Sequence, residues 1–152
     1  MTDLAILVPT RGRPAQLARL VQAVVAKSHL DTRIVIGLDE DDPALPEYVD
    51  LLDTFEAGAA TGRVWNIVGP RQTLGRWTNE LAEYVASTAP DVRWLASMGD
   101  DHLPVTAGWD EALVGALREL EGPGWAYGND LFQGDRLATA WVQAVELFDA
   151  LG

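Results

Sequence analysis

The residues best placed to do chemistry lie in one stretch, WLASMGDDHLP over 94–104. The apolar run Trp94-Leu95-Ala96-Ser97-Met98 reads as a buried strand that stops at Gly99. It delivers Asp100, Asp101 and His102 in succession before Pro104 forbids any continuation. Two carboxylates at the end of a buried strand repel each other, and desolvation raises the energy of both. They persist there if a cation sits between them or if both face water. Hard dications such as Mg²⁺ or Mn²⁺ take oxygen ligands, and Mg²⁺ is commonly shared between carboxylates and substrate phosphates. A solvated acidic turn is the plain alternative, and the pair by itself does not decide between the two.

Acids at that point need a sheet beneath them, and the chain alternates strand-like and helix-like segments. Leu4-Ala5-Ile6-Leu7-Val8 is an unbroken apolar run, the mark of a strand covered on both faces in a parallel sheet. Pro9-Thr10-Arg11-Gly12-Arg13 ends it, Pro14 suits a first helical position, and Leu17, Leu20, Val21, Val24 and Val25 follow at helical spacing. A second buried strand over 33–38 closes in Asp39-Glu40-Asp41-Asp42-Pro43, and 45–55 reads as a helix. Residues 64–68 form a third strand, and Leu74, Trp77, Leu81, Tyr84 and Val85 mark a helix opening near Thr73. After the fourth strand, Trp109 to Leu120 is helical. Gly122-Pro123-Gly124 breaks it, and Trp125–Tyr127 reads as a short strand. Asn129-Asp130 and Gly134-Asp135 read as turns, and 137–151 as one last strand or helix.

This alternation predicts an α/β fold: a mostly parallel, Rossmann-like sheet with helices on both faces, a three-layer sandwich. Such sheets bind ligands outside the carboxyl ends of their strands. At that rim the chain places Thr10, Arg11 and Arg13 after the first strand and four acids after the second. Asp100, Asp101 and His102 follow the fourth. Glu40, Asp41 and Asp42 read as a solvated or capping turn, which leaves Asp39 as the functional acid of that cluster. Two acidic clusters and a basic loop on one rim suit a diphosphate ligand held through a hard metal.

The totals narrow the classes. At 152 residues the chain fits one domain, 48% apolar and 22% charged. A net charge of -12 argues against a surface built for nucleic acid or anionic lipid. With no cysteine there is neither a disulfide framework nor a thiolate metal site. No apolar run approaches the ~20 residues of a membrane span and no signal-peptide layout opens the chain, so the expectation is a cytoplasmic protein. Dinucleotide, P-loop, H-E-x-x-H and G-x-S-x-G patterns are all absent.

ILVPTRGRPAQLARLV, IVIGLDEDDP, LGRWTNELAEYV and WLASMGDDHLPVTAGWDEAL, in that order, resemble the nucleotide-binding half of a GT-A glycosyltransferase, close to the family-2 type. The resemblance spans roughly residues 4 to 120 and implies a sugar transferase using a UDP- or GDP-sugar donor with Mn²⁺ or Mg²⁺. It maps the base-and-phosphate loop onto Pro9, Thr10, Arg11 and Arg13, and the base-reading acid onto Asp39. The G-x-x-x-N helix pattern falls on Gly75 and Asn79. The D-x-D signature falls on Gly99-Asp100-Asp101, so its first acid is missing. Asp100 would then reach the ribose and Asp101 the metal, with His102 as a further ligand or a supporting group.

Family members usually continue well past a segment resembling 145–152, and inverting ones take their general base from beyond it. The resemblance therefore implies a single nucleotide-sugar-binding domain whose acceptor side is short or missing. It would act as a fragment, or as a minimal unit with a partner chain or as a homo-oligomer. Asp130, in YGNDLFQGD, is the in-chain candidate for a catalytic acceptor-side acid. Trp77, Trp94 and Trp109 fit burial patterns. Trp125 or Tyr127 could stack on an acceptor sugar, with core packing the simpler account. Two other functions stay open: a non-catalytic nucleotide-sugar-binding module, and a nucleotidyltransferase, which would want a more glycine-rich first loop.

Overall fold

A computed structural model describes residues 3–134 and 136–151. Asp135, half of one expected turn, lies outside them. The elements are β1 (Leu4–Thr10), α1 (Pro14–Lys27), β2 (Thr32–Asp39), α2 (Leu45–Glu56), β3 (Val64–Gly69), α3 (Leu74–Thr88), β4 (Trp94–Ser97), α4 (Trp109–Arg118), β5 (Trp125–Tyr127), β6 (Trp141–Ala144) and α5 (Val145–Leu151).

Six strands form one sheet in the order β3-β2-β1-β4-β6-β5. The first four are parallel, and β6 pairs antiparallel with both β4 and β5. The expected mostly parallel α/β sandwich is present. Leu4 to Val8 are fully buried because β1 sits mid-sheet with helices above and below, which explains their uninterrupted apolar run. On one face, Leu4, Ile6 and Val8 pack with α1, α2 and α4; on the other, Ala5 and Leu7 pack with α3 and, at the margin, α5.

Buried Asp110, in the first turn of α4, ties the sandwich together away from the rim. It accepts the amides of His29 and Leu30 at 3.0 Å and the Thr32 hydroxyl at 3.1 Å. The segment expected to be one strand or helix over 137–151 is both: β6 runs directly into α5. Leu120, expected in the fourth helix, lies just beyond its end. Among the described residues, no helix is long and apolar enough to cross a membrane.

Candidate functional site

The strand order reverses at the seam between β1 and β4: β2 and β3 build out on one side of β1, and the chain then crosses to the other. Such a reversal leaves a crevice at the carboxyl ends of the strands. Pro9 widens it. The Met98 amide donates to the Leu7 carbonyl at 3.1 Å. The next β1 group on that side would be the amide of Pro9, and proline has none. Pairing with β4 therefore ends at Leu7 and Ser97, and residues 99–102 leave the sheet in a turn.

Across this seam runs a one-way chain of hydrogen bonds. The Arg13 amide donates to the Tyr48 hydroxyl at 2.8 Å, and Tyr48 and Thr10 hydroxyls lie 2.9 Å apart. Thr10 Oγ1 donates to Asp100 Oδ2 at 2.6 Å. A hydroxyl has one proton, so with Thr10 donating to the carboxylate, Tyr48 must donate to Thr10. Burial, the dominant cause, raises the Tyr48 pKa and keeps that proton in place. Asp100, only 5% exposed, also pairs through Oδ1 with Arg13 at 3.2 Å. Arg13 reaches on to Asp101 Oδ2 at 3.8 Å, so one guanidinium neutralises both acids. Asp101 itself is largely exposed.

Tyr48→Phe should leave the Arg13 amide and the Thr10 hydroxyl without their partner. Because these groups are buried or partly buried, the expected loss is about 1–3 kcal/mol of stability. Urea unfolding measures it, and an unchanged midpoint would show that the chain of bonds carries no energy.

At the end of β2, Asp39 is 3% exposed. Its Oδ1 accepts Trp77 Nε1 at 2.7 Å and its Oδ2 accepts Arg11 at 2.9 Å, with Arg11 also bridging to Asp41. Those two pairings, with Asp41 the larger, raise the Arg11 pKa. A carboxylate has roughly four lone-pair directions, so Asp39 retains acceptor capacity. Of its two expected roles, solvated or capping, Asp42 takes the second in the structure. It is buried and accepts the Gly12 amide at 2.7 Å as well as the Ala44 amide at 2.9 Å. Gly12 sits at φ 66°, a left-handed turn that favours glycine, and Asp42 pins that turn.

The structure thus joins Thr10, Arg13, Asp100 and Asp101 in one cluster and Arg11 with Asp39 in a second, both on the same rim. Tyr48, Trp77 and Asp42 are the members that sequence reasoning missed. His102 stays beside Asp101, its Nδ1 3.5 Å from Asp101 Oδ1, and that same nitrogen accepts the Gly99 amide at 2.9 Å, which leaves Nε2 carrying the proton in the neutral ring. Among the described residues, no three His, Asp or Glu side chains gather into a metal cage. The donor set instead fits an ion shared with a ligand, since Mg²⁺-type sites typically use one or two carboxylates with phosphate oxygens. Gly75 and Asn79 lie on the first two turns of α3. A side chain at Gly75 would meet nothing within 4 Å, and Asn79 lines a cavity beside β5 and β6.

Asp130 is bound into its own loop. It lies in the β5–β6 connection, where Oδ1 accepts the amides of Phe132, Gln133 and Gly134, and Oδ2 accepts the Thr139 hydroxyl. The amides of Phe132 and Gln133 are the main causes that hold its pKa down to about 2, against an ordinary 3.8. Asp130 organises a turn in which Leu131 adopts φ 63°, a strained value for leucine. A depressed folded pKa contributes stability above the unfolded value and loses it as pH falls through the folded one. The loop should therefore hold at pH 4 and loosen only near pH 2. Carbon NMR of the Asp130 carboxyl should titrate near 2; a midpoint near 4 would mean these bonds do not form in solution.

The fold matches solved transferase structures along nearly its whole length. A mannosyltransferase from Pyrobaculum calidifontis, PcManGT, in complex with GDP-Man and Mn²⁺, aligns over 99% of this chain and 46% of its own, with TM-score 0.73 and 11% identity. A cytidylyltransferase from Leptospira borgpetersenii serovar Hardjo-bovis aligns over 99% of this chain and 64% of its own, with TM-score 0.65 and 11% identity. S. aureus TarS aligns over 99% and 49%, with TM-score 0.62 and 10% identity. The chain therefore has a GT-A-like fold, and it spans about half the length of the mannosyltransferase and of TarS. No family model matches the sequence, and no curated protein does.

Proposed function

We propose that this chain binds a nucleoside-diphosphate sugar across the β2–β1–β4 rim and transfers the sugar to a hydroxyl acceptor. The observation that carries the proposal is the order of groups along that rim. Asp39 on β2 can accept a base N–H. Thr10 at the end of β1 and Arg13 at the start of α1 both reach Asp100, and Asp100 and Asp101 follow β4. Strands lie about 4.8 Å apart, so β2 and β4 are separated by about 10 Å, a span suited to a base, ribose and diphosphate laid across them. The mannosyltransferase with GDP-Man and Mn²⁺ supports the same donor class and metal type.

In transfer, the C–O bond between sugar and diphosphate breaks and its electron pair leaves with the nucleoside diphosphate. A new C–O bond forms to the acceptor oxygen, whose proton passes to water. Asp101, with Asp100, would hold Mn²⁺ or Mg²⁺, and a bound dication neutralises charge on the diphosphate. Asp100 is fixed by Thr10 and Arg13 and can accept from a ribose hydroxyl. Arg13 supplies positive charge beside both acids, close to the uncapped start of α1.

Calorimetric titration with UDP and GDP, with and without Mn²⁺, tests this reading. Binding should require the metal, and Asp101→Asn should weaken it by about tenfold or more. Metal-independent binding of equal strength in that variant would remove Asp101 from the metal site. Nucleotidyl transfer is the second reading, favoured by the cytidylyltransferase among the structural neighbours. It predicts pyrophosphate release from CTP with a sugar phosphate, which the single glycine of Thr10-Arg11-Gly12-Arg13 disfavours.

A further inference from the structure

Beyond β4 the sheet continues into β6 and β5, and against this part lies a cavity of about 550 Å³. It occupies the face that α3 covers, because Leu7, Ser97, Trp141 and Tyr127 form one cross-strand row, and Leu95, Gln143 and Trp125 form the next. Thr78 and Asn79, near the start of α3, line the cavity, which lies on the β4–β6–β5 side of the sheet, away from Asp39 on β2. Trp125 and Tyr127, for which core packing was the simpler account, are 57% and 42% exposed.

Gln143 fixes one wall of the cavity. It is 4% exposed and lines the cavity, and its Oε1 accepts Trp125 Nε1 at 2.6 Å, fixing the indole. Among the described residues its Nε2 has no partner. This nitrogen is not among the sealed, unpartnered polar atoms, so its two donors are open to water or to a ligand. The walls combine aromatic rings with the side chains of Gln143, Thr78 and Asn79, and among the described residues no charged one lines them. A charged ligand would lose its hydration here without a counter-charge.

From this we infer that the cavity is the acceptor subsite and takes a neutral saccharide, one ring face stacked on Trp125 and a ring oxygen or hydroxyl accepting from Gln143 Nε2. Aromatic faces suit the C–H side of a sugar ring, and the amides suit its hydroxyls. The acceptor role rests on the transfer reading above; the saccharide site does not.

The test adds methyl β-glucoside, methyl β-galactoside and methyl α-mannoside to the full chain in the presence of UDP or GDP and Mn²⁺. The Trp125 indole N–H is followed by nitrogen-15 NMR. At least one glycoside should shift that resonance, and Trp125→Ala should weaken its binding about tenfold. Tyr127→Ala provides a second variant with a partly exposed side chain, also expected to weaken binding. An indole unmoved by all three glycosides, or moved more tightly by n-octanol than by any of them, overturns the saccharide assignment. Nucleoside diphosphate binding is read separately on the unmodified protein by calorimetry. Glycoside binding at Trp125 without it would overturn the acceptor role and leave the saccharide site standing.

Discussion

Trp77→Ala should cost this fold about 3–5 kcal/mol, the usual range for deleting a buried large aromatic. Trp77 is 3% exposed and lies across two glycines. A Cβ at Gly37 would sit 2.8 Å from its ring and one at Gly69 3.3 Å, so no neighbouring side chain stands ready to fill the space. The same substitution removes the Nε1 donor to Asp39 and leaves a buried carboxylate oxygen short of a partner. Against a total stability of about 5–15 kcal/mol, such a loss is a large share. Urea unfolding measures it. Trp77→Phe separates the terms: it keeps most of the packing and should cost about 1.5–3 kcal/mol for the lost bond to a charged group. If the phenylalanine variant matched the parent, the indole would be packing alone, with no hold on Asp39.

Asp100→Ala is the second large effect, expected in binding as well as stability. The substitution ends the Arg13–Tyr48–Thr10 chain without its acceptor and leaves Arg13 with only the distant Asp101. A nucleoside diphosphate would lose one charge-assisted hydrogen bond, worth about 1.5–3 kcal/mol, or about 10–100-fold in affinity. Calorimetry with UDP or GDP and Mn²⁺ reads that loss. Thr10→Ala, which removes the hydroxyl but keeps the carboxylate, should show a smaller one. Equal affinities for the Asp100→Ala variant and the parent would place the ligand elsewhere on the molecule.

The sheet was legible in sequence wherever a strand is buried on both faces. Leu4–Val8 and Ile34–Ile36 are unbroken apolar runs for that reason, and helix periods as clean as Leu17, Leu20, Val21 and Val24 follow from one buried stripe. β6 and α5 were not separable, because four strand residues running straight into seven helical ones leave neither period time to show. In the site, Thr10, Arg13, Asp39 and Asp100 stand out as polar groups at the ends of apolar runs. Tyr48 does not, since it reads as one more core position of an amphipathic helix and its role depends on a contact 38 residues away. Four consecutive acids look alike until the Gly12 amide singles out Asp42. One signal for Trp77 was present: Gly37 inside a buried strand marks a close approach, and the indole is what approaches.

The register of β1 has a consequence for the order of assembly. Leu4 meets Thr32 on one side and Trp94 on the other, closing a short stretch of chain first and a much longer one second. Longer closures cost more entropy and slow the pairing that needs them. The β1–β2–β3 half should therefore form early and β4 should dock late, bringing Asp100 to Thr10 only then. In a refolding experiment, affinity for the nucleotide should emerge with the slowest kinetic phase, after most helical circular dichroism has returned.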